Sequence, residues 1–325
     1  MTARPTLMTR ALCLSLTAAF AASHAGEWEA LPSMPEPNGG FFCGVAHGKI
    51  CVVGGTNWEG GKKNWLKAVR AYDPMTRTWT KLKDLENPVA YGAVLRDGDV
   101  FAYVGGSDGK QAVKTLASIE EKMSPVHLPG LPASVVSIAG GSVGNRHIIA
   151  GGTDDALNVA GVQRATHAIE FVAGSWKVGK LADYPGKPFS TAASAVVGDE
   201  LLIFGGMNYV EATQQVVNTT EAYAFSPEKN VWRRLKPLVI ARRGMCAVAL
   251  DEGLVYLAGG YAEEFTTDAF IYDAKTDSYR PAKSLPYAAM VSLVKHDGFV
   301  YCLGGEDKKQ SRTDKFFRIP LAELK

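Results

Sequence analysis

The chain has 325 residues and is 46% hydrophobic, which suffices for one large domain or two ordinary ones. Its 35 basic residues exceed its 33 acidic residues by two, and Arg4 and Arg10 account for that excess within the first 25 residues. The remainder is formally neutral and gives no support for nucleic acid or an anionic membrane as a partner.

The first 25 residues have the pattern of a secretory signal peptide. Arg4 and Arg10 precede the short apolar run ALCLSLTAAFAA, and small residues end the segment at Ala25. No later segment approaches 18 uninterrupted apolar residues, so membrane insertion is not expected. We therefore predict a signal peptide over 1–25 and a periplasmic or secreted protein over 26–325.

A repeat runs through the rest of the chain. Six short apolar runs each end in a glycine doublet, at intervals of 51, 46, 54, 54 and 45 residues: Gly54-Gly55, Gly105-Gly106, Gly151-Gly152, Gly205-Gly206, Gly259-Gly260 and Gly304-Gly305. Another glycine precedes each doublet by six or seven residues, often in a turn pair such as His47-Gly48. Each block therefore predicts two strands joined by a tight turn.

Most blocks continue with a third strand, a turn and a fourth strand that begins near an aromatic residue. Trp79, Trp176, Trp232 and Tyr279 occupy this position, whereas block two has no such aromatic residue, so its outer strands are the least secure. Four strands in a period near 50 residues are typical of kelch repeats. The predicted fold is an all-β, six-bladed kelch-type β-propeller.

The two ends of the repeat complement each other. The last block stops after the predicted strand in TDKFFRIPLAEL, and the missing fourth strand is found near Trp28 in EWEALPSMP. We predict that this N-terminal strand completes blade six and closes the ring, which removes exposed sheet edges. Residues 26–325 then form a single domain.

Four cysteines follow the predicted leader: Cys43, Cys51, Cys246 and Cys302. They form no CxxC pair, and the histidines show no metal-ligand spacing, so neither a metal nor another cofactor is expected. The predicted hairpin places Cys43 opposite Val52 rather than Cys51. This register favours buried free thiols, although an oxidising compartment would permit a disulfide.

Long loops follow the glycine doublets, and all of them are expected on one face of the ring. A rigid scaffold with long loops on one rim is a common setting for function. In the last loop, GGEDKKQSRTD, Glu306 follows the doublet and Arg312 comes six residues later. These two residues are either a charged surface loop or part of a site at the mouth of the central channel.

The Glu306–Arg312 loop resembles that of bacterial N-acetylneuraminate epimerases, which are kelch-propeller sialic acid mutarotases. The blade-one loop GGTNWEGGKKNW and the segment VAYGAV are similar to segments of the cyclically permuted branch of that family. The resemblance implies a mutarotase that interconverts the α and β anomers of N-acetylneuraminate. It also implies that Glu306 is the general acid/base and that Arg312 holds the sugar carboxylate or a developing oxyanion.

Three residues of the blade-one loop are candidates for contact with the sugar: Asn57, Trp58 and Trp65. Amides and aromatic rings suit saccharides, but Trp65 could equally pack at the start of a strand. The neighbouring Lys62 and Lys63 are expected to form a solvated face.

Arg242, Arg243 and Tyr261 are expected on the same rim. The two arginines either contact substrate or cap the inner strand of blade five. The donor of a proton to the ring oxygen remains open between water and a rim tyrosine such as Tyr261.

The alternative function is a non-catalytic kelch propeller that binds a glycan or a protein partner. A sialidase is not favoured because the S-x-D-x-G-x-T-W repeat is missing, and a copper oxidase is not favoured because no suitable Cys, Tyr and His set is present. The sequence leaves the exact sugar acid and the oligomeric state undecided.

Overall fold

The computed structural model describes residues 26–97, 100–119, 125–251 and 253–324. The proposed signal peptide lies outside these residues. Within them, no helix is long and apolar enough to cross a membrane.

The described residues form six four-stranded antiparallel sheets, which are the blades of a β-propeller. Blade one contains β2 (Phe42–Ala46), β3 (Lys49–Val53), β6 (Val69–Asp73) and β7 (Thr78–Lys81), and between β3 and β6 a separate hairpin is formed by β4 (Thr56–Glu59) and β5 (Lys62–Trp65). Blade two contains β8 (Ala93–Asp97), β9 (Val100–Val104), β10 (Thr115–Ser118) and β11 (Val126–His127). Blade three contains β12 (Ala139–Val143), β13 (Arg146–Ala150), β14 (Thr166–Val172) and β15 (Ser175–Lys180).

Blade four contains β16 (Ala193–Val197), β17 (Glu200–Phe204), β20 (Ala222–Ser226) and β21 (Val231–Arg234), with a second hairpin of β18 (Met207–Val210) and β19 (Gln215–Asn218). Blade five contains β22 (Cys246–Ala249), β23 (Leu254–Ala258), β24 (Ala269–Asp273) and β25 (Ser278–Pro281). Blade six contains β26 (Met290–His296), β27 (Phe299–Glu306), β28 (Phe316–Pro320) and β1 (Glu29–Ala30). Short 3₁₀ turns occur at Val159–Gly161 and Leu321–Glu323.

The predicted ring closure is confirmed. Strand β1 pairs with β28, with Glu29 opposite Arg318, so the N-terminal strand is the outer strand of blade six. Arg318 Nε donates to Glu29 Oε2 at 2.6 Å. This ion pair supplements the pairing of β1 with β28, which covers only two positions. Blade two also has its two outer strands, although the outermost has only two residues.

The glycine doublets join each blade to the next one. In all six doublets both residues have positive φ, a conformation that only glycine adopts readily. The amide of the second glycine donates to a carbonyl of the following blade at 2.7–3.0 Å, including Gly305 to Asn38 across the closure. The spacing of the doublets therefore reflects one inter-blade hydrogen bond per repeat.

The aromatic residue of the outer strand forms a second connection between blades. The indole Nε1 of Trp232 donates to Ala182 O at 2.8 Å, Trp79 donates to Pro32 O at 3.0 Å, and Trp28 donates to Ser284 O at 2.8 Å. Each such bond contributes about 1 kcal/mol. This role explains why an aromatic residue with a polar atom recurs at this position.

Buried apolar residues fill the space between adjacent blades in six clusters. The sheets thus pack face to face around a central channel, and the backbone at the channel mouth is fixed by its neighbours on both sides. Loops at that mouth are therefore held on a rigid support.

Candidate functional site

Glu306 and Arg312 meet at the rim that carries the long loops. Glu306 is the last residue of β27, and its Oε2 lies 3.1 Å from Arg312 Nη1. The Arg312 side chain is only 4% exposed, whereas the Glu306 side chain is 31% exposed. The carboxylate is thus open to a ligand and its cation is buried behind it.

All three side-chain nitrogens of Arg312 have partners. Besides Glu306, they donate to Ser311 O at 2.6 Å, to Tyr91 Oη at 3.0 Å and, at 3.4 Å, to Thr56 Oγ1. A guanidinium committed in this way is better suited to hold Glu306 and Tyr91 in position than to grip a substrate carboxylate. This geometry favours a positioning role over the expected role as carboxylate anchor.

Tyr91 is the site residue that the sequence reasoning missed. It lies two residues before the inner strand of blade two and has a φ of 66°, which is unusual for a bulky side chain. Its hydroxyl lies 2.9 Å from Thr56 Oγ1 and accepts the hydrogen bond from Arg312. Because Thr56 gives its own proton to Gly39 O at 3.0 Å, Tyr91 donates to Thr56. The segment VAYGAV had drawn attention to this stretch, but not to the phenol.

The environment of Tyr91 changes its acidity. Burial by itself raises the pKa of a phenol, but the positive charges of Arg312 and Lys63 and the polar contacts of the hydroxyl outweigh it. The pKa of Tyr91 is therefore lowered from its ordinary value near 10. The phenolate of Tyr91 is therefore easier to form than that of a tyrosine in water.

Lys63 does not lie on a purely solvated face, contrary to expectation. Its Nζ is 4.6 Å from the centroid of the Tyr91 ring and 5.1 Å from that of Trp65. Trp65 in turn meets Tyr91 edge to face at 5.5 Å. The blade-one hairpin thereby places a cation and an indole over the phenol.

Three glycines make room for these side chains. A Cβ on Gly39 would lie 2.6 Å from Arg312 Nε, and one on Gly40 would lie 2.6 Å from Tyr91 Cδ1. A Cβ on Gly109 would lie 2.6 Å from Trp65 Nε1. The backbone is thus shaped around the site residues.

The candidate residues of the blade-one hairpin lie on two different faces of that hairpin. Side chains alternate along a strand, so Trp58 shares the face of Thr56, Lys63 and Trp65, and Asn57 lies on the opposite face. The Asn57 side-chain oxygen accepts from Asn64 Nδ2 at 3.1 Å. The indole N–H of Trp58 is buried and has no hydrogen-bond partner among the described residues.

Arg242 and Arg243 diverge, as neighbours in an extended chain do. Arg242 is 2% exposed and forms an ion pair with Asp268, with its guanidinium over the ring of Phe270. These contacts make it a packing residue of blade five. They favour the strand-capping alternative over substrate contact.

Arg243 remains on the rim. Its Nη1 donates to Asn218 Oδ1 at 3.0 Å, and its guanidinium stacks on the ring of Tyr261 at 4.6 Å. Within the described part of the chain, no other partner of its guanidinium is found. The next residue, Gly244, packs against Met290, which is the register partner of Glu306. Arg243 therefore lies on the same rim as Glu306, with N–H groups available.

A central cavity of about 1210 Å³ is lined mainly by the inner strands, with Phe41 and Gly92 among its residues. Glu306, Arg312 and Tyr91 do not line it, but Phe41 and Gly92 are the chain neighbours of Gly40 and Tyr91. The candidate site therefore lies at the rim rather than in the channel.

The four cysteines are unpaired, and Cys43 lies opposite Val52 as predicted. Burial raises the pKa of Cys51 and of Cys246 to about 11, so these thiols stay protonated. Among the described residues, no group of three or more His, Cys, Asp or Glu side chains suits a metal ion.

Comparison with known proteins connects this fold to two groups. The Kelch motif matches residues 37–86, 188–239 and 242–286. Kelch-like protein 36 of Bos taurus is 23% identical over 86% of this chain and 45% of its own length. N-acetylneuraminate epimerases of Salmonella enteritidis PT4 and Salmonella typhi are 25% and 24% identical over 43% of this chain and 46% of their own length. The chain thus spans about half the length of the curated relatives it matches.

Proposed function

We propose that this protein is a mutarotase that interconverts the α and β anomers of N-acetylneuraminate. The observation that carries the proposal is a half-open carboxylate, Glu306, held at 3.1 Å by the buried Arg312 on the loop-bearing rim of a closed propeller. The partial similarity to N-acetylneuraminate epimerases supports it. A cyclic permutation would restrict a co-linear match to part of each chain, as is found.

In this mechanism Glu306 takes the proton of the anomeric hydroxyl as the ring C–O bond breaks. The open-chain ketone then rotates and closes on its other face, and Glu306 returns the proton. Arg312 holds the Glu306 carboxyl group in position through the whole cycle. General acid–base catalysis of this kind contributes about 10²–10⁴-fold.

The sugar carboxylate requires a cation with free N–H groups, and Arg243 is the best-placed side chain for it. Its guanidinium is stabilised by Asn218 and by the ring of Tyr261. Trp58 and Trp65, which share one face of the blade-one hairpin, would lie against the body of the sugar. The proposed site needs no metal or cofactor.

We place the enzyme in the periplasm or outside the cell, as residues 1–25 indicate, with residues 26–325 as one catalytic domain.

The test follows anomer exchange by NMR after the α anomer is released into buffer containing the protein. We expect acceleration by the wild type and a loss of about 10²–10⁴-fold in Glu306→Gln. Glu264→Gln, which changes an exposed carboxylate on the blade-five loop, is the matched control and should retain activity. Equal rates for wild type and buffer, or full activity in Glu306→Gln, would remove the proposal.

A second candidate function is a binding module, which the similarity to Kelch-like protein 36 over most of the chain favours. This function predicts saturable binding of a glycan or peptide by a protein that does not accelerate anomer exchange. The rate of anomer exchange would then be the same with the wild type and with Glu306→Gln.

A further inference from the structure

Mutarotation needs two proton-transfer groups, because one oxygen on the anomeric carbon loses a proton while the other gains one. Glu306 supplies only the first. The second must lie close to Glu306, since the hydroxyl oxygen and the ring oxygen are bonded to the same carbon. It must also be protonated at neutral pH and able to give up that proton.

We infer that Tyr91 is this second group and that it protonates the ring oxygen while Glu306 deprotonates the anomeric hydroxyl. The inference rests on the proposed function. The geometry that carries it is the shared guanidinium: Arg312 Nη1 contacts Glu306 at 3.1 Å, and Arg312 Nη2 contacts Tyr91 Oη at 3.0 Å. The two terminal nitrogens of one rigid fork thus bind the carboxylate and the phenol.

The local structure holds this phenol in place by several independent means. Tyr91 adopts φ of 66°, and a bulky residue in that conformation persists only where its surroundings enforce it. Its amide donates to Gly40 O at 2.8 Å and its carbonyl accepts from Ser137 N at 2.6 Å. Gly40 also leaves the space that the ring occupies.

The charges around the hydroxyl favour the proton transfer. The charged groups that face Tyr91 are Arg312, from the blade-six loop, and Lys63, from the blade-one hairpin, and Glu306 is bound to the other terminal nitrogen of Arg312. Both cations stabilise a phenolate more than a neutral phenol. The lowered pKa of Tyr91 agrees with this effect.

The step balances without an external reagent. Tyr91 gives its proton to the ring oxygen as the C–O bond breaks, the anomeric oxygen becomes the ketone oxygen, and its proton goes to Glu306. On closure the Tyr91 phenolate takes the proton back from the attacking hydroxyl, and Glu306 protonates the former ketone oxygen. The enzyme is regenerated with both groups in their starting states.

The direct test is Tyr91→Phe, which keeps the ring and removes the hydroxyl. We expect anomer exchange to fall by about 10²-fold or more, with the KM for the sugar little changed and the alkaline limb of the pH profile altered. Tyr223→Phe is the matched control, because the Tyr223 hydroxyl makes no hydrogen bond within the described part of the chain. An unchanged rate and pH profile in Tyr91→Phe would overturn the inference and leave the proposed function standing.

A second substitution distinguishes the loss of a proton donor from a folding defect. Replacement of Tyr91 by 3-fluorotyrosine lowers the phenol pKa while nearly preserving its volume, so the alkaline limb should move to lower pH. An unmoved limb would overturn the role of Tyr91. If the wild type itself fails to accelerate exchange, the proposed function fails, and this inference fails with it.

Discussion

Gly39→Ala tests whether the position of Arg312 controls the site. The backbone at Gly39 does not have positive φ, so alanine can adopt its conformation, and the added methyl group would lie 2.6 Å from Arg312 Nε and 3.3 Å from the Gly305 carbonyl carbon. Ordinary contacts between such atoms are about 3.5 Å or longer, so the guanidinium must retreat by about 1 Å. The change therefore displaces Arg312 while leaving Arg312, Glu306 and Tyr91 chemically intact.

The size of the effect follows from the contacts that Arg312 makes. A retreat of about 1 Å lengthens the contacts of Arg312 to Glu306 and Tyr91, now 3.1 and 3.0 Å, beyond hydrogen-bonding range. Each bond to a charged group contributes about 1.5–3 kcal/mol, and partial readjustment leaves an expected loss of about 2–4 kcal/mol in the free energy of unfolding. A displacement of 1 Å in an active site costs about 10²-fold in rate.

Three measurements check this prediction: urea unfolding, anomer exchange by NMR, and titration of the phenols by absorbance at 295 nm. In Gly39→Ala the pKa of Tyr91 should rise, since the charge that lowers it moves away. Gly179→Ala is the control, because a Cβ there meets nothing within 4 Å and the substitution should stabilise β15 by about 0.5 kcal/mol. If Gly39→Ala matched this control in stability, rate and phenol titration, the positioning role of Arg312 would be refuted.

Three further predictions concern the scaffold. Asp268→Asn leaves the buried Arg242 without its anionic partner and should lower the free energy of unfolding by about 2 kcal/mol in urea, with little change in catalysis; an unchanged stability would contradict the packing role of Arg242. Burial raises the pKa of Glu29, but Arg318 and Arg77 outweigh it and lower that pKa below 4.5, so its stabilisation is present above the unfolded value and lost as pH falls through the folded value. Glu29→Gln should therefore lower the melting temperature at pH 7 by an amount that shrinks as the pH falls below 4.5, and a difference that does not shrink in acid would refute this origin. Trp232→Phe should cost about 1 kcal/mol more than the apolar area alone predicts, through the lost bond to Ala182 O, and a smaller cost in calorimetry would argue against the inter-blade role.

The sequence predicted the fold because each blade repeats the same local requirements. The glycine doublets have positive φ and bond to the following blade, so their spacing encodes the repeat directly. The missing fourth strand in the last block was sufficient to predict that the N-terminal strand pairs with β28. Block two was difficult because its outermost strand has two residues and lacks the aromatic residue that joins the other blades.

The candidate site could be predicted only in part, because its contacts span most of the chain. Glu306 and Arg312 are close in sequence, whereas Arg312 and Tyr91 are 221 positions apart and Arg312 and Thr56 are 256 apart. Such pairs meet only after the ring closes. The adjacent Gly39 and Gly40, which precede the inner strand of blade one, were a usable signal, since they leave room for Arg312 and Tyr91.

Charged residues were the least predictable class. Arg242 and Arg243 are identical in type and adjacent in sequence, yet one is buried against Asp268 and the other stacks on Tyr261. Lys63 was expected in solvent because its aromatic partner Tyr91 belongs to another blade. Composition and spacing do not decide which side of an extended chain faces a neighbouring blade.

Backbone hydrogen bonds between neighbouring blades form a belt around the channel mouth. This belt holds the residues of the candidate site in place on the rim. Five residues with positive φ lie two residues before the inner strands of blades one to five, and the backbone of each is hydrogen-bonded to its neighbour in the ring at 2.6–2.9 Å: Gly40, Tyr91, Ser137, Thr191 and Gly244. Glycine would fit this conformation at every position, but blades two, three and four use Tyr91, Ser137 and Thr191, each at a cost of about 1–3 kcal/mol. The belt offsets that cost with two inter-blade bonds, and the phenol is thereby aimed at the one buried guanidinium of the blade-six loop. Strain is thus shared by several belt positions, and what distinguishes blade two is the phenol that it places beside Arg312.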